Sequence, residues 1–461
     1  MARSILLITV GGSPQPILTS IQSLQPDRTI FICSSGSRGS ISQVTGEGKP
    51  CQVRRGAEVV SELPNIPTQL GLGDRFNPET DVVLLDNPDD LAECYQQISA
   101  KVITLRQDSD YSNIYADYTG GTKTMSLALG AVAIDHGLTL YLTTSTTREN
   151  LIRVERGEST ERASTTMVMV ERTLNQMLPL FLQQYNYPAA IAQLQDLLQG
   201  AELPSDMKRR IRTLRDCCAA FDAWDRFDHA QAWLLLKPQM QSLREWGLSL
   251  KRVMHSRAVL DKEFEAIESI PGHGYEVVQD LLLNAERRAA QERYDDAVGR
   301  LYRALELLVQ VRLKQTYGID TGDVDIQQLP ERLREDYQPR SPSEKLQLPL
   351  QRSYELVSQL EPDAASLGEL YRQQREAVQD VLRIRNYSLF AHGFQPISKD
   401  DYQRVLEVFG GFIENGIQRA APKASTPLQF PQQLPTMRVE PTMRVEPTMR
   451  VERSRNPPPP R

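Results

Sequence analysis

The 461-residue chain is predicted to be α/β at its N-terminus and all-α beyond it, on three observations. Short β-branched runs alternate with amphipathic stretches over the first 160 residues or so. From about 171 to 420 the composition turns to Leu, Ala, Gln, Glu and Arg at helical periodicity. A chain of this length also exceeds what one hydrophobic core serves, so several domains are expected.

In chain order, strands are expected at 4–10, 29–34, 81–85, 113–118 and 138–144, with helices at 14–24, 89–107 and 124–136 between them. Apolar strands separated by helices argue for a parallel sheet covered on both faces, a Rossmann-like layout. Ligands of such sheets sit beyond the carboxyl ends of the strands. Residues 151–155 and 165–170 are expected as a hairpin-like extension. Three later segments share an aromatic residue, Asp or Asn, then Ala: Tyr185-Asn186-Tyr187-Pro188-Ala189, Phe227-Asp228-His229-Ala230 and Tyr294-Asp295-Asp296-Ala297. Each opens a leucine-rich stretch and reads as a capped core helix. Turn formers from Ser269 to Gly274 mark an internal boundary. The chain thus divides into 1–170, a helical connector 171–270, a helical domain 271–420 and a tail 421–461. The tail is rich in proline, repeats Pro-Thr-Met-Arg-Val-Glu, and is expected to be disordered.

The net charge of −6 advertises no global nucleic-acid affinity, so any RNA site must be local. Five scattered cysteines suit a reducing compartment, and no His/Cys/carboxylate cluster has metal-ligand spacing. The apolar N-terminus runs straight into Gly11-Gly12, too short for a secretory signal, and no later run reaches membrane-spanning length. A cytoplasmic protein is expected.

Two loops of the sheet domain carry chemistry. Thr9-Val10-Gly11-Gly12-Ser13-Pro14 leaves the first strand, where glycines let backbone amides approach a phosphate at a helix start. Asp117-Tyr118-Thr119-Gly120-Gly121-Thr122-Lys123-Thr124 gathers hydroxyls, amides and one ammonium at another helix start, donors suited to a phosphodiester or ribose. It is not a Walker A loop, because with Lys123 as the loop lysine the glycines would fall on Asp117 and Thr122. The bland alternative is that Thr122 and Lys123 cap and solubilise the helix.

The two loops resemble those of CARF domains, the CRISPR-associated sensors of cyclic oligoadenylate. The resemblance implies a homodimer holding the cyclic ligand, with Gly11, Gly12, Ser13, Thr122 and Lys123 beside it and the Ser34-Ser35-Gly36-Ser37-Arg38 loop, Ser35 above all, as a further contact. It also implies cyclic oligoadenylate, most naturally a four-membered ring, as an activating ligand, with no other cofactor.

Near the other end, Arg385-Asn386-Tyr387-Ser388-Leu389-Phe390-Ala391-His392-Gly393 places Arg385 and His392 seven apart. Read as helix, this is two turns, which projects both from one face, with Gly393 ending the helix. An arginine can stabilise a pentacoordinate phosphorane and a histidine can move protons. Spacing alone more often marks a solvated stripe. The run is similar to the R-x4–6-H motif of HEPN ribonucleases, and the helix from Tyr294 to Glu306 looks like the one preceding it in CARF–HEPN proteins. That resemblance implies a metal-independent endoribonuclease of single-stranded RNA in antiviral defence, with Arg385, Asn386 and His392 in a composite site at a dimer seam. The alternative is a sensor-adaptor with an inactive HEPN-like dimerisation domain, with or without cleavage of its own ligand by the sensor.

Overall fold

A computed structural model describes residues 3–36, 39–55, 58–108, 110–149, 153–200, 203–338 and 345–434. The chain splits into two compact units, Met1–Met169 and Val170–Arg461.

The first unit runs β1 (Arg3–Thr9), α1 (Gln15–Leu24), β2 (Arg28–Ser34), α2 (Ser42–Thr45), β3 (Cys51–Arg55), β4 (Glu58–Leu63), α3 (Ile66–Gln69), β5 (Val82–Leu85), α4 (Leu91–Arg106), β6 (Tyr111–Asp117), α5 (Lys123–Asp135), β7 (Thr139–Glu149) and β8 (Arg153–Arg162). Six strands form one sheet in the order β5-β2-β1-β6-β7-β8. The first five are parallel to their neighbours, and β8 closes the edge antiparallel to β7. Period-two alternation assigns the faces. Ile5 and Leu7 join Ile30 and Ile32 against α4 and α5, through Ile98, Val102, Leu129 and Val132. Leu6 and Ile8 join Phe31 and Cys33 on the other face, against Ile17, Leu18 and Ile21 of α1. Both faces of β1 are therefore buried, as a continuous apolar run requires.

One expectation fails here. Residues 165–170 do not form a strand: α6 (Thr166–Arg172) begins there, and the partner of β7 is β8. Leu151, at the start of the expected hairpin, lies outside the described residues. The small β3–β4 hairpin has no counterpart in the sequence reading.

The second unit continues with α7 (Leu178–Gln183), α8 (Tyr187–Gly200), α9 (Ser205–Asp225), α10 (His229–Leu236), α11 (Arg244–Ala258), α12 (Glu276–Ala290), α13 (Tyr294–Tyr317), α14 (Leu350–Leu360), α15 (Leu367–Tyr387), α16 (Lys399–Val405) and α17 (Gly411–Ala420). The three aromatic–Asx–Ala segments do open helices, and one joint serves all three. Tyr185, Phe227 and Glu292 take left-handed backbone at φ 52°, 63° and 59°. The next amide donates five residues back in each, Asn186 to Phe181, Asp228 to Ala223 and Arg293 to Arg288. These bonds satisfy carbonyls that a helix end would leave orphaned. Asn186 and Asp228 then cap the following helices through Ala189 and Gln231 amides. Around α13, the residues Leu301, Leu305 and Leu308 are fully buried with Tyr354, Val405, Phe409 and Phe412 in one core.

The segment beyond α17, expected to have no core, is packed as far as it is described. Phe430 and Leu434 are each 3% exposed. Phe430 lies against Phe221 and Trp224, and the Gln429 side chain donates to the Leu283 carbonyl at 3.1 Å. Apolar contact and a satisfied amide outweigh the proline content of this stretch. The Pro-Thr-Met-Arg-Val-Glu repeats lie outside the described residues.

Candidate functional site

In the sheet unit, β1 and β6 are parallel neighbours with Ile8 opposite Asp117, so their following loops leave the same end side by side. The approach is close enough to dictate residue type. A Cβ on Gly11 would stand 2.7 Å from the Gly121 amide nitrogen, and one on Gly120 would stand 2.2 Å from the Thr9 carbonyl. Gly121 adopts φ +81°, where side chains are strained. The Thr9 hydroxyl donates to the Gly120 carbonyl at 2.7 Å, and Gln43 Nε2 donates to the Gly11 carbonyl at 2.5 Å.

Beneath this pair of loops, Asp117 is fully buried and saturated with donors. Its carboxylate accepts from the Ser20 hydroxyl at 2.6 Å, the Thr143 hydroxyl at 3.1 Å, the Thr119 amide at 2.8 Å and the Thr119 hydroxyl. A buried carboxylate survives only with such company, and here it fixes the turn that aims the glycines. Asp117 and Gln43 had no role in the sequence reading. For Asp117 the signal is an acidic residue at the last position of a strand, shortly before two glycines.

Gly12, Ser13 and Lys123 are exposed at this end of the sheet, and Gly11 and Thr122 are partly so. Among the described residues Lys123 makes no ion pair, and it opens α5, whose first amides lack helical acceptors. The Thr122 hydroxyl accepts from the Met125 amide at 3.2 Å as the N-cap of α5 and donates to the Pro88 carbonyl at 2.7 Å. Ser35 leaves β2 at the same end, its amide donating to the Leu85 carbonyl at 2.9 Å and its hydroxyl to the Asp86 carbonyl at 3.4 Å. Ser37 and Arg38 lie outside the described residues. The arrangement offers an ammonium, a free hydroxyl and backbone amides to an anionic, hydroxyl-bearing ligand.

In the helical unit, the two-turn geometry expected for Arg385 and His392 does not occur. Helix α15 ends at Tyr387, with Ser388 extended at φ −75°, ψ 159°. The chain then folds back on itself. His392 donates its amide to the Asn386 carbonyl at 3.2 Å, Gly393 to the Ser388 carbonyl at 3.1 Å and Gln395 to the Tyr387 carbonyl at 3.1 Å. A Cβ on Gly393 would meet the Tyr387 carbonyl oxygen at 1.9 Å, so glycine serves this tight return and not a helix cap. The loop, rather than a helix face, brings His392 back to the Arg385–Asn386 turn. The His392 side chain is exposed.

Arg385 lies with its guanidinium carbon 4.3 Å from the ring centroid of Tyr302, on α13, and its Nη1 donates to Asn386 Oδ1 at 3.2 Å. Burial pushes the Tyr302 phenol up from its ordinary value, and the Glu306 carboxylate adds to the rise. Tyr387, Leu389, Phe390 and Phe394 surround the motif and are 63%, 66%, 63% and 88% exposed. The turn offers an imidazole, which can move a proton, and a guanidinium without a carboxylate partner among the described residues, which can stabilise phosphorane charge.

Residues 268–415 match the family described as Csm6 HEPN domain. Among solved structures, Enterococcus italicus Csm6 bound to cyclic hexa-2'-fluoro-hexa-dAMP shares the fold, with a TM-score of 0.54 at 11% identity over 92% of this chain and 96% of that one. Protein VC1899 from Vibrio cholerae aligns at a TM-score of 0.23 and 11% identity over 45% of this chain and 54% of that one. No curated protein matches this chain. Residues 268–415 are thus similar to the Csm6 HEPN domain, and the chain as a whole, a Rossmann-like sheet unit followed by a helical unit, shares its fold with Enterococcus italicus Csm6.

Proposed function

We propose that this protein is a metal-independent endoribonuclease of single-stranded RNA, switched on by a cyclic oligoadenylate and acting as a homodimer in cytoplasmic antiviral defence. The observation that carries the reading is the Arg385–Asn386–His392 turn within the stretch similar to the Csm6 HEPN domain. RNA brings its own nucleophile. The 2′-hydroxyl attacks the adjacent phosphorus, the bond to the 5′-oxygen breaks, and the products end in a 2′,3′-cyclic phosphate and a 5′-hydroxyl. His392 moves the proton in this scheme, and Arg385 meets the charge that grows on the phosphorane oxygens.

The ligand end of the sheet unit supports the switch. Lys123, Ser13 and the amides around Gly12 suit phosphates and riboses, and the Enterococcus italicus relative is a structure with a six-membered oligonucleotide ring. At 11% identity that ring size does not transfer, so rings of four and six units both belong in the test. The exposed apolar side chains flanking the motif suit burial against a second copy, which would set two motifs together. Ligand binding then shifts the dimer toward a form in which both pairs align. Incubating the purified protein with labelled RNA and each ring tests the reading: cleavage that depends on one of the rings supports it, and uncut RNA with every ring refutes it.

A further inference from the structure

The arginines of α15 are not held alike. Arg372 pairs with Glu369 at 2.7 Å, Arg375 with Glu355 at 3.3 Å and Arg383 with Asp380 at 3.7 Å. Arg385 has no carboxylate within 4 Å among the described residues. It is held instead by the face of Tyr302 and by the amide oxygen of Asn386.

We propose that Tyr302 is a positioning residue for the RNA-cleaving reaction, holding the Arg385 guanidinium by its ring face so that the N–H edges point toward the scissile phosphate. The proposal rests on the ribonuclease reading above. A carboxylate partner would hold the guanidinium equally well, but it would occupy two N–H groups and cancel the charge. An aromatic face attracts the cation through its quadrupole, leaves the in-plane donors free and adds no counter-charge. Burial, and after it Glu306, push the phenol up from its ordinary value, which favours the neutral ring beside the arginine. Tyr302 sits mid-helix on α13, whose neighbours Leu301, Ala304 and Leu305 are fully buried, so the platform is rigid. A mobile arginine side chain would otherwise lose rotamer freedom each time a transition state forms.

The test measures kcat and KM for RNA cleavage by the full chain at saturating cyclic oligoadenylate, in Tyr302→Leu, Tyr302→Phe and Tyr302→Trp. Loss of the ring should lower kcat by roughly 10-fold with KM changed by less than about 2-fold, as for a group that acts in the transition state. Phe and Trp keep an aromatic face and should stay within about 3-fold of the parent. Either Tyr302→Leu at the parental kcat, or Phe and Trp falling as far as Leu, overturns the role. If the parent protein cuts no RNA with any ring, the ribonuclease reading falls and takes this role with it. A parent that cuts, beside an unimpaired Tyr302→Leu, overturns the positioning role alone.

Discussion

The Arg287 guanidinium carbon lies 3.7 Å from the ring centroid of Phe430, linking a fully buried cation on α12 to the segment beyond α17. The same arginine donates to Asp225 Oδ1 at 2.7 Å and to Gln429 Oε1 at 2.8 Å. The Trp246 indole adds a bond to the Gln429 carbonyl at 2.9 Å. One short stretch thereby supplies the acceptors of Arg287 Nη1 and Trp246 Nε1, two donors that its removal would leave unpaired.

Phe430→Ala should therefore destabilise the protein by about 3–5 kcal/mol, the cost of removing a buried phenyl ring. Deleting 421–461 should destabilise it at least as much, whereas deleting 435–461 keeps every contact named above and should leave the melting temperature near that of the full chain. Thermal unfolding of the three proteins checks this ordering.

Residues 122 and 123 should separate cleanly. Thr122→Ala removes the cap of α5 and should cost about 1 kcal/mol of stability. Lys123→Ala removes an exposed charge and should leave stability unchanged while weakening cyclic oligoadenylate binding by about 1.5–3 kcal/mol per site. Calorimetric affinities set beside melting curves distinguish the two. Unaltered affinity in Lys123→Ala would move the ligand cradle elsewhere.

All five cysteines are buried. Burial pushes the Cys33 and Cys217 thiols up to about 12 and Cys51 up to about 11. A raised thiol value means a neutral sulfur below that pH, and the thiolate is the nucleophile. At pH 8 iodoacetamide should leave the folded protein almost unmodified and label all five sites once denaturant is added. Mass spectrometry of both samples reads the difference, and rapid labelling of the folded protein would contradict the packing of these sulfurs.

Much of the sheet unit was legible in the sequence because β1 and β2 are short apolar runs bounded by turn formers and α4 buries one helical face. Residues 166–170, Thr-Met-Val-Met-Val, show where such patterns fail: a short apolar, β-branched run fits strand and helix equally, and tertiary context chose the helix. The end of α15 was illegible for a similar reason. Apolar residues continue through Leu389 and Phe390 at helical spacing, and only the buried Ser388 and the return of His392 to Asn386 reveal the break. The expected two-turn helix face is replaced by a loop that returns the His392 amide to the Asn386 carbonyl, next in sequence to Arg385. Tyr302 does not stand out within 294–306, since no periodicity says which aromatic faces an arginine on another helix. Phe430 is an isolated apolar residue among prolines, and its socket exists only in three dimensions.

The measurement that bears most directly on the central claim is the initial rate of RNA cleavage, with activating ligand and EDTA present, by the parent protein, Arg385→Ala and His392→Ala. Loss of the histidine should slow cleavage by roughly 10²–10⁴-fold, and loss of the arginine should cost about as much, since each acts on the transition state. The parent should cut at the same rate with and without EDTA, because the imidazole, the guanidinium and the 2′-hydroxyl supply the chemistry. Both variants cutting at the parental rate, or EDTA stopping the parent, would contradict the assignment of ribonuclease chemistry to Arg385 and His392.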